Sequence, residues 1–168
     1  GRYYKVKNFV CNPKPLKKIP IWLGETDNKL MVEEIVKNAD VFNLMPCSVD
    51  IYEQKIKIIK KECKKQKRNF NTLGQSLETQ ILVAKNDQDL KKKINKLIKL
   101  KKFNTSYDND LISRLKELNK SKINYNDIKT LKNEFLIGNL GEIKEKIKKY
   151  NKAGVDHFMF WLMDYPEN

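Results

Sequence analysis

The chain has 168 residues, 40% of them hydrophobic, and carries 35 Lys and Arg against 21 Asp and Glu, a net charge of +14. This length suits one domain that needs no disulfide or metal to stabilise its core, and the apolar share excludes a wholly disordered protein. No apolar run reaches the ~18–20 residues of a membrane span and no signal-peptide pattern opens the chain, so we expect a single-domain cytoplasmic protein.

Lysine supplies almost all of the positive charge, because arginine occurs only at Arg2, Arg68 and Arg114. Proteins that read bases or clamp phosphates favour arginine, whose planar fork donates two parallel hydrogen bonds. The lysines lie instead along segments with helical patterning, so we interpret them as a solvated surface with no specific nucleic-acid partner. A module that adheres to polyanions in a salt-sensitive way is the alternative.

Cysteine and histidine are too sparse for a metal centre. Cys11, Cys47 and Cys63 are far apart and His157 is the only histidine, so the sequence predicts no metal site. An odd, sparse cysteine count is typical of a reducing cytoplasm.

Apolar runs alternate with amphipathic segments along most of the chain. Residues 1–19 indicate an exposed arm with a short strand at 2–6, and further strands are predicted near 20–24, 40–45, 77–84 and 155–162. The helices between them are marked by apolar stripes at Met31, Ile35 and Val36, at Tyr52, Ile56, Ile59 and Cys63, at Leu90, Ile94, Leu97 and Ile98, and at Leu140, Ile143, Ile147 and Tyr150.

Cap signals bound these helices. Asp27, Ser48 and Asp87 are the predicted N-caps, Asn139 with Glu142 resembles a capping box, and Gly154 is the predicted C-cap. The Asn- and Lys-rich segment 103–134 is interpreted as a polar insertion outside the core.

Strand–helix alternation predicts β-α-β units with parallel strands and outer helices, as in an open sheet or a barrel. Ligands bind at the carboxyl ends of such strands, which directs attention to the loops 24–27 and 43–48.

Motifs in a fixed order resemble one family. They are Gly1-Arg2-Tyr3-Tyr4, Pro13-Lys14-Pro15, Pro20-Ile21-Trp22-Leu23-Gly24, Ala39-Asp40-Val41-Phe42-Asn43, Gly138 with Gly141-Glu142-Ile143, and Ala153-Gly154-Val155-Asp156. This series resembles the G-x-Y-Y, P-I-W-I-G-G, A-D-x-x-N, G-x-x-E-E and A-G-(V/I)-D motifs of the bacterial luciferase-like oxidoreductases, which use flavin or deazaflavin.

The resemblance implies a (β/α)8 TIM-type barrel of roughly 300 residues with FMN or a deazaflavin at its carboxyl-terminal face. Residues 1–168 match only the carboxyl-terminal part of that one domain, so we expect a fragment truncated at both ends. The usual catalytic residues would then lie on amino-terminal strands outside this chain, and the fragment would be inactive alone. Half a barrel exposes edges and an inner face, which favours aggregation or a homo-oligomer.

Four residues are candidates for holding the cofactor. The resemblance places its phosphate at the loop after Gly24, where the backbone of Glu25 and the hydroxyl of Thr26 could donate at a helix amino terminus. Glu25 replaces the family's second glycine and must point away from a phosphate. Asn43 could face the pocket or tie down the loop before Pro46, and a plain turn at the first loop is the alternative.

Other residues near these loops are expected to be structural. Trp22, Phe158, Phe160 and Trp161 are interpreted as core, and Cys47 as a buried thiol. His157 begins the last strand, on the side of a barrel that serves stability.

Taken together, these patterns predict part of a luciferase-like oxidoreductase or monooxygenase that acts on a small organic substrate. A parallel α/β protein without flavin is the remaining alternative.

Overall fold

The computed structural model describes residues 2–24, 28–100, 111–117 and 123–163, which form a parallel α/β sheet with helices. Its strands are β1 (Trp22–Gly24), β2 (Val41–Leu44), β3 (Gly74–Val83), β4 (Leu136–Gly138) and β5 (His157–Leu162). The order is β1-β2-β3-β4, with β5 also pairing with β3, and every described pairing is parallel. The predicted fold class is therefore confirmed.

The structure has one strand that was not predicted and lacks one that was. β4 was not predicted because a strand of three residues carries too little apolar pattern. The segment 2–6 is not a strand, because its side chains are exposed and it pairs with no strand of the described sheet. The composition of such a short segment therefore does not predict a strand by itself.

The described helices connect the strands and cover the sheet. They are α1 (Lys29–Asn38), α2 (Val49–Lys65), α3 (Asp87–Leu100), α4 (Leu111–Glu117), α5 (Tyr125–Glu134) and α6 (Leu140–Ala153). Ser48 caps α2, Asn139 and Glu142 form the capping box of α6, and Gly154 ends α6 with φ 113°, all as predicted.

Two predicted N-caps are wrong by one position. Asn28 caps α1 by accepting from the amide of Leu30, whereas Asp27 lies outside the described residues. Asn86 caps α3 by accepting from the amide of Asp89 at 2.9 Å. In both cases an asparagine stands beside the aspartate, and both residue types make good caps.

One face of the sheet is apolar and lies under α1, α2 and α6. Its members and the helix residues that cover them form the first hydrophobic cluster, with Phe42, Leu44, Leu77, Leu136, Ile35, Tyr52, Ile59, Ile143 and Tyr150 among its buried residues. The predicted stripes of α1 and α2 face this cluster, as does that of α6 except Leu140. Leu140 is 70% exposed, because it is the first residue of α6 and lies outside the part of the helix that packs against the cluster.

The opposite face of the sheet is concave. Trp22 and His157 lie on β1 and β5, which β2 and β3 separate, so a flat sheet would hold them roughly 14 Å apart at ~4.8 Å per strand. Strand side chains stand roughly perpendicular to a sheet, yet these two ring centroids are 5.0 Å apart. The strands therefore curve toward each other on this side, as they do inside a barrel.

A second hydrophobic cluster lies at the carboxyl ends of β3 and β4. It joins Leu82 and Ile137 to α3, α4 and α5, with Leu90, Ile94, Leu97, Leu111, Leu115, Ile123, Ile128 and Leu131 buried. The segment 103–134 is thus not wholly polar: its described residues supply several buried side chains, which contradicts its placement outside the core. Whether it is an insertion stays a prediction.

Side-chain hydrogen bonds fix the amino-terminal rim of the sheet. The guanidinium of Arg68 donates to the carbonyls of Val36 at 2.8 Å and Ala39 at 2.7 Å, which satisfies the end of α1. Asp40 accepts from the amide of Ile21 at 2.9 Å and pairs with Lys18 at 2.6 Å.

Among the described helices, none is long and apolar enough to cross a membrane.

Candidate ligand-binding face

Polar and aromatic side chains occupy the concave face in register. Parallel partners across a ladder point to the same side, and so do alternate residues of one strand. The register therefore places on this face Trp22 and Gly24 of β1, Asn43 of β2, Ser76, Glu78 and Gln80 of β3, and His157, Met159 and Trp161 of β5.

A hydrogen bond between Asn43 and Glu78 joins β2 to β3 on this face. Asn43 Nδ2 donates to Glu78 Oε2 at 3.2 Å. Because a carboxylate only accepts, this contact fixes the orientation of the amide. Asn43 Oδ1 then points elsewhere, and it is buried without a hydrogen-bond partner among the described residues.

Two further side chains, both on β3, also carry a buried polar atom without a hydrogen-bond partner among the described residues. Ser76 is 0% exposed and Gln80 is 6% exposed, and neither Ser76 Oγ nor Gln80 Oε1 finds a partner in the described part of the chain. A buried polar atom left unpaired destabilises a fold by about 1–3 kcal/mol, and native proteins keep few of them. All three residues face the concave side: Asn43 and Ser76 are register partners, and Gln80 lies further along β3, beyond Glu78.

Aromatic side chains flank these polar residues on the concave face. Trp22 and Trp161 are 41% and 49% exposed, so the prediction that they are core residues is wrong. Phe160 lies on the other face and is also exposed, which contradicts the same prediction. Phe158 packs against the first cluster, as predicted. Both tryptophans face the concavity, where strand curvature leaves room above them. The edge-to-face contact of Trp22 with His157 narrows the amino-terminal end of the concavity. His157 begins β5, as predicted.

Gly24 ends β1 and is the register partner of Asn43. No atom of the described residues lies within 4 Å of a Cβ built on Gly24, so the described structure leaves the space beside it open. The other two predicted residues of this loop, Glu25 and Thr26, lie outside the described residues. The structure therefore brings together two of the four candidates, Gly24 and Asn43, at the carboxyl ends of neighbouring strands.

The loop after β2 is fixed from behind. The backbone carbonyl of Cys47 accepts a hydrogen bond from the hydroxyl of Tyr150, and burial raises the pKa of that phenol. Cys47 itself is buried, as predicted. The hydrogen bond from Tyr150 thus holds this loop against α6, and the loop exposes no thiol at the surface.

The Gly138–Glu142 motif is structural. Gly138 has φ 139°, and a Cβ there would collide with the side chain of Glu142. Glu142 accepts from the amide of Asn139 at 2.9 Å and pairs with Lys132 at 2.7 Å. A groove of about 530 Å³ lies beside this turn, but the amino terminus of α6 is already occupied by its own capping side chains.

The motif Ala153–Asp156 is structural too. Asp156 exchanges two hydrogen bonds with the backbone of Gln75: its carboxylate accepts at 3.1 Å and its amide donates at 3.0 Å. These contacts set the register of β5 against β3. The side chain of Gln75 in turn accepts from the hydroxyl of Tyr52 at 3.2 Å.

Metal ligands and lysines do not converge in the described structure. Within residues 2–24, 28–100, 111–117 and 123–163, no three His, Cys, Asp or Glu side chains are placed to hold a metal ion. The lysines of α2 and α3 lie mainly on solvent-facing surfaces, which agrees with the predicted solvated face. Those that are exposed are Lys57, Lys60, Lys61, Lys64, Lys65, Lys92, Lys96 and Lys99.

Sequence reasoning missed Ser76, Glu78 and Gln80. The only available signal was the polar composition of residues 75–80, where Leu77 is the one apolar side chain. That signal was lost because the predicted strand began at residue 77 and emphasised the apolar run that follows.

Comparison with solved structures shows the same fold in larger proteins. An F420-dependent secondary alcohol dehydrogenase in complex with an F420-acetone adduct superposes with a TM-score of 0.67 at 12% identity, over 97% of this chain and 49% of that chain. Long-chain alkane monooxygenase (LadA) gives 0.64 at 18% identity over 99% and 42%, and DmoA from Hyphomicrobium sulfonivorans gives 0.61 at 18% over 99% and 42%. The chain thus spans less than half of each of these structures.

Sequence comparison assigns the family directly. No curated protein sequence matches the chain. The family model described as luciferase-like monooxygenase matches residues 1–157, nearly the whole chain, and this range contains the motifs that flank the concave face. The chain therefore belongs to the luciferase-like monooxygenase family.

Proposed function

We propose that this chain is the carboxyl-terminal part of a barrel oxidoreductase that uses FMN or a deazaflavin on a small organic substrate. Gly24 and Asn43, together with Glu25 and Thr26 of the adjoining loop, hold the cofactor. Family membership supports the enzyme class, and an F420-dependent enzyme is among the structures of similar fold.

The observation that carries this proposal is the open space at Gly24 beside the unpartnered Asn43 Oδ1. A glycine with no neighbouring atom lets a ligand approach the backbone closely. The amide oxygen can accept from an N–H of a flavin-type ring. These groups fit a ligand that combines a polar ring edge with a phosphate.

Within the reaction, the residues of this chain bind and orient. The backbone after Gly24 leads into α1, whose helix dipole favours an anion; Asn28 accepts there from the amide of Leu30, and it brings no charge, in contrast to Glu142 at α6. Trp161 and Met159 form an apolar wall that excludes water from the concavity. The bound flavin or deazaflavin supplies the redox chemistry, and the protein positions it.

Catalysis requires the rest of a barrel. Because the chain spans 42–49% of the solved structures it resembles, we assign the residues that act on the substrate to strands outside this chain. The completing strands would pair with the free edges of β1 and β5.

A fluorescence titration of the intact enzyme, in which the rest of the barrel is present, with FMN and a deazaflavin tests the proposal. Gly24→Val should weaken cofactor binding by at least about tenfold, since the branched side chain fills the open space. The fold should persist, because no atom of the described residues lies within 4 Å of the added Cβ. Thr26→Ala should have a smaller effect, about that of one hydrogen bond to a charged group.

Two controls separate this proposal from its alternatives. Thr79→Val changes the opposite face of the same sheet and should leave cofactor affinity unchanged. Riboflavin, which lacks the phosphate, should bind more weakly than FMN. Affinity for FMN that falls steeply with salt and is equal in wild type and Gly24→Val would favour the polyanion-binding module; no binding of either cofactor would favour a parallel α/β protein without flavin.

A further inference from the structure

Tyr150 lies on α6 and reaches, on the helix-covered side of the sheet, to the loop after β2. This loop comprises residues 45–48, between the end of β2 at Leu44 and the start of α2 at Val49. The hydroxyl of Tyr150 donates a hydrogen bond to the backbone carbonyl of Cys47, and both residues are buried. The two residues are 103 positions apart in the sequence, so the contact joins parts of the chain that no local interaction holds together.

The ring of Tyr150 is packed so that its hydroxyl has a fixed direction. Its centroid lies 6.1 Å from that of Tyr52 and 6.3 Å from that of Phe158, in edge-to-face arrangements. Burial raises the pKa of the Tyr150 phenol, so the hydroxyl keeps its proton and remains a hydrogen-bond donor. The loop after β2 therefore meets a donor whose position is set by the core.

The helix that carries Tyr150 is itself held near both ends of its last turns. One turn before Tyr150, the ammonium of Lys146 donates to three backbone carbonyls where α5 ends, those of Lys132 at 2.6 Å, Asn133 at 2.7 Å and Phe135 at 3.0 Å. Beyond α6, the carboxylate of Asp156 accepts from the amide of Gln75 at 3.1 Å. Helix α6 is therefore a fixed support for the hydroxyl that contacts the loop.

The hydrogen bond does not depend on the strands that would complete a barrel. Those strands would pair with the free edges of β1 and β5, whereas Tyr150 and Cys47 belong to the first hydrophobic cluster, under α1, α2 and α6. Donor and acceptor are both described residues, and the contact between them is formed.

The loop after β2 lies at the carboxyl end of its strand, where parallel α/β proteins and barrels bind ligands. Cys47 follows Asn43 by four residues, and Asn43 is the register partner of Gly24. A shift of the Cys47 carbonyl would therefore reach the strand end that presents Asn43 within a short stretch of backbone. Enzymes are sensitive to such shifts, because a misplacement of about 1 Å can cost roughly 10²-fold in rate.

We propose that Tyr150 is a positioning residue, whose hydroxyl holds the loop after β2 in the conformation that binds the cofactor. Tyr150 acts through the backbone of Cys47 and does not contact the cofactor itself. The proposal rests on the proposed function, because it takes the carboxyl ends of β1 and β2 as the cofactor site.

Tyr52→Phe is the matched control for Tyr150→Phe. Tyr52 is also fully buried, contacts the ring of Tyr150 and donates one side-chain hydrogen bond, but its acceptor is Gln75 Oε1 at 3.2 Å. Gln75 is the second residue of β3, near the amino-terminal rim of the sheet. Both substitutions remove one hydroxyl from the same core, so both should lower the melting temperature by a similar amount.

Labelling of native thiols in the intact enzyme tests the hold on the loop without a ligand. Cys47 and Cys63 are both buried, and Cys63 lies on α2. Tyr150→Phe should speed the reaction of Cys47 with iodoacetamide by about threefold or more, because the loop opens locally, and leave Cys63 unchanged. Mass spectrometry of the peptides separates the two thiols. In Tyr52→Phe the ratio of the two rates should equal that of wild type.

Two labelling results would overturn the proposal. Equal acceleration at Cys47 and Cys63 in Tyr150→Phe would mean that the substitution destabilises the whole structure. No acceleration at Cys47 would mean that the loop keeps its place without the hydroxyl.

Cofactor titration of the same variants tests whether the held loop serves binding. In the intact enzyme, Tyr150→Phe should weaken the binding of FMN or a deazaflavin by roughly threefold to tenfold, the effect of one hydrogen bond, whereas Tyr52→Phe should stay within about twofold of wild type. Saturating cofactor should slow the labelling of Cys47 in Tyr150→Phe toward the wild-type rate, since the loop and the cofactor stabilise each other.

The titration separates the failure of this proposal from that of the proposed function. Equal affinity in wild type and Tyr150→Phe overturns the positioning role while the proposed function stands. A wild-type enzyme that binds neither FMN nor a deazaflavin contradicts the proposed function, and the positioning role falls with it.

Discussion

The two faces of the sheet are built from alternate residues of the same strands, yet they differ in almost every physical respect. On β2, Phe42 and Leu44 are buried under helices, while Asn43 between them faces the concavity. On β3, Leu77 joins the first hydrophobic cluster, while its neighbours Ser76 and Glu78 face the concavity. A shift of one residue along a strand therefore separates the packed side chains from those that face the concavity.

Hydrogen bonding differs between the faces in the same way. Polar groups behind the convex face mostly find partners, such as Tyr52 with Gln75 and Tyr150 with the carbonyl of Cys47. On the concave face, three polar atoms have none in the described structure. Thr79, whose hydroxyl lacks a partner on the convex side, is the exception. The difference shows that the convex face supplies most of the packing and hydrogen bonding that stabilise the described structure, whereas the concave face leaves more polar atoms unpaired.

The largest predicted effect follows from truncating the convex face. Phe42→Ala should lower the free energy of unfolding by about 3–5 kcal/mol, because it leaves a cavity beneath helices. Trp161→Ala on the concave face should cost only about 1–2 kcal/mol, since half of that ring is already in water. Chemical denaturation of both variants measures the contrast, and equal losses would mean that the concave face is also a packed core.

Two glycines sharpen the comparison at the carboxyl ends of the strands. Gly138→Ala should destabilise by about 1–3 kcal/mol, because alanine is strained at φ 139° and its Cβ displaces Glu142. Gly24→Ala borders open space and should change stability by less than about 0.5 kcal/mol. Thermal melts of the two variants provide the readout. A large loss from Gly24→Ala would show that the space beside it is filled.

The smallest predicted effect concerns the amino-terminal rim, where both faces end. The hydrogen bond from Lys18, with that from the amide of Ile21, holds the pKa of Asp40 below its usual value of 3.8. A carboxyl with a lowered folded-state pKa stabilises the protein above its unfolded-state pKa and loses that contribution as pH falls through the folded-state value. Asp40→Asn should therefore melt slightly below wild type at pH 7, and the gap should close below about pH 3.8. A gap that persists in acid would assign the effect to packing.

Apolar periodicity predicted the convex face well, because the burial of stripes such as Tyr52, Ile56 and Ile59 follows directly from helical spacing. It predicted the concave face poorly. Trp22 and Trp161 look like core residues in any apolar run, and their exposure depends on sheet curvature, a tertiary property. Ser76 and Gln80 were missed because a polar residue in a strand normally indicates a solvent-facing side. Gly24 and Asn43 were selected because they end predicted strands, and the family motifs then named them as cofactor candidates, which stays a prediction.

Thiol labelling on β5 tests the division between the faces most directly. Met159 and Phe160 are adjacent, are 39% and 44% exposed, and point to opposite faces. In a Cys11→Ser background, which removes the exposed native thiol, Met159→Cys and Phe160→Cys place one probe on each side. We predict that saturating FMN or deazaflavin slows the reaction of the thiol at position 159 with a disulfide reagent and leaves the reaction at position 160 unchanged. Protection at position 160 alone, or equal protection at both, would contradict the assignment of ligand binding to the concave face.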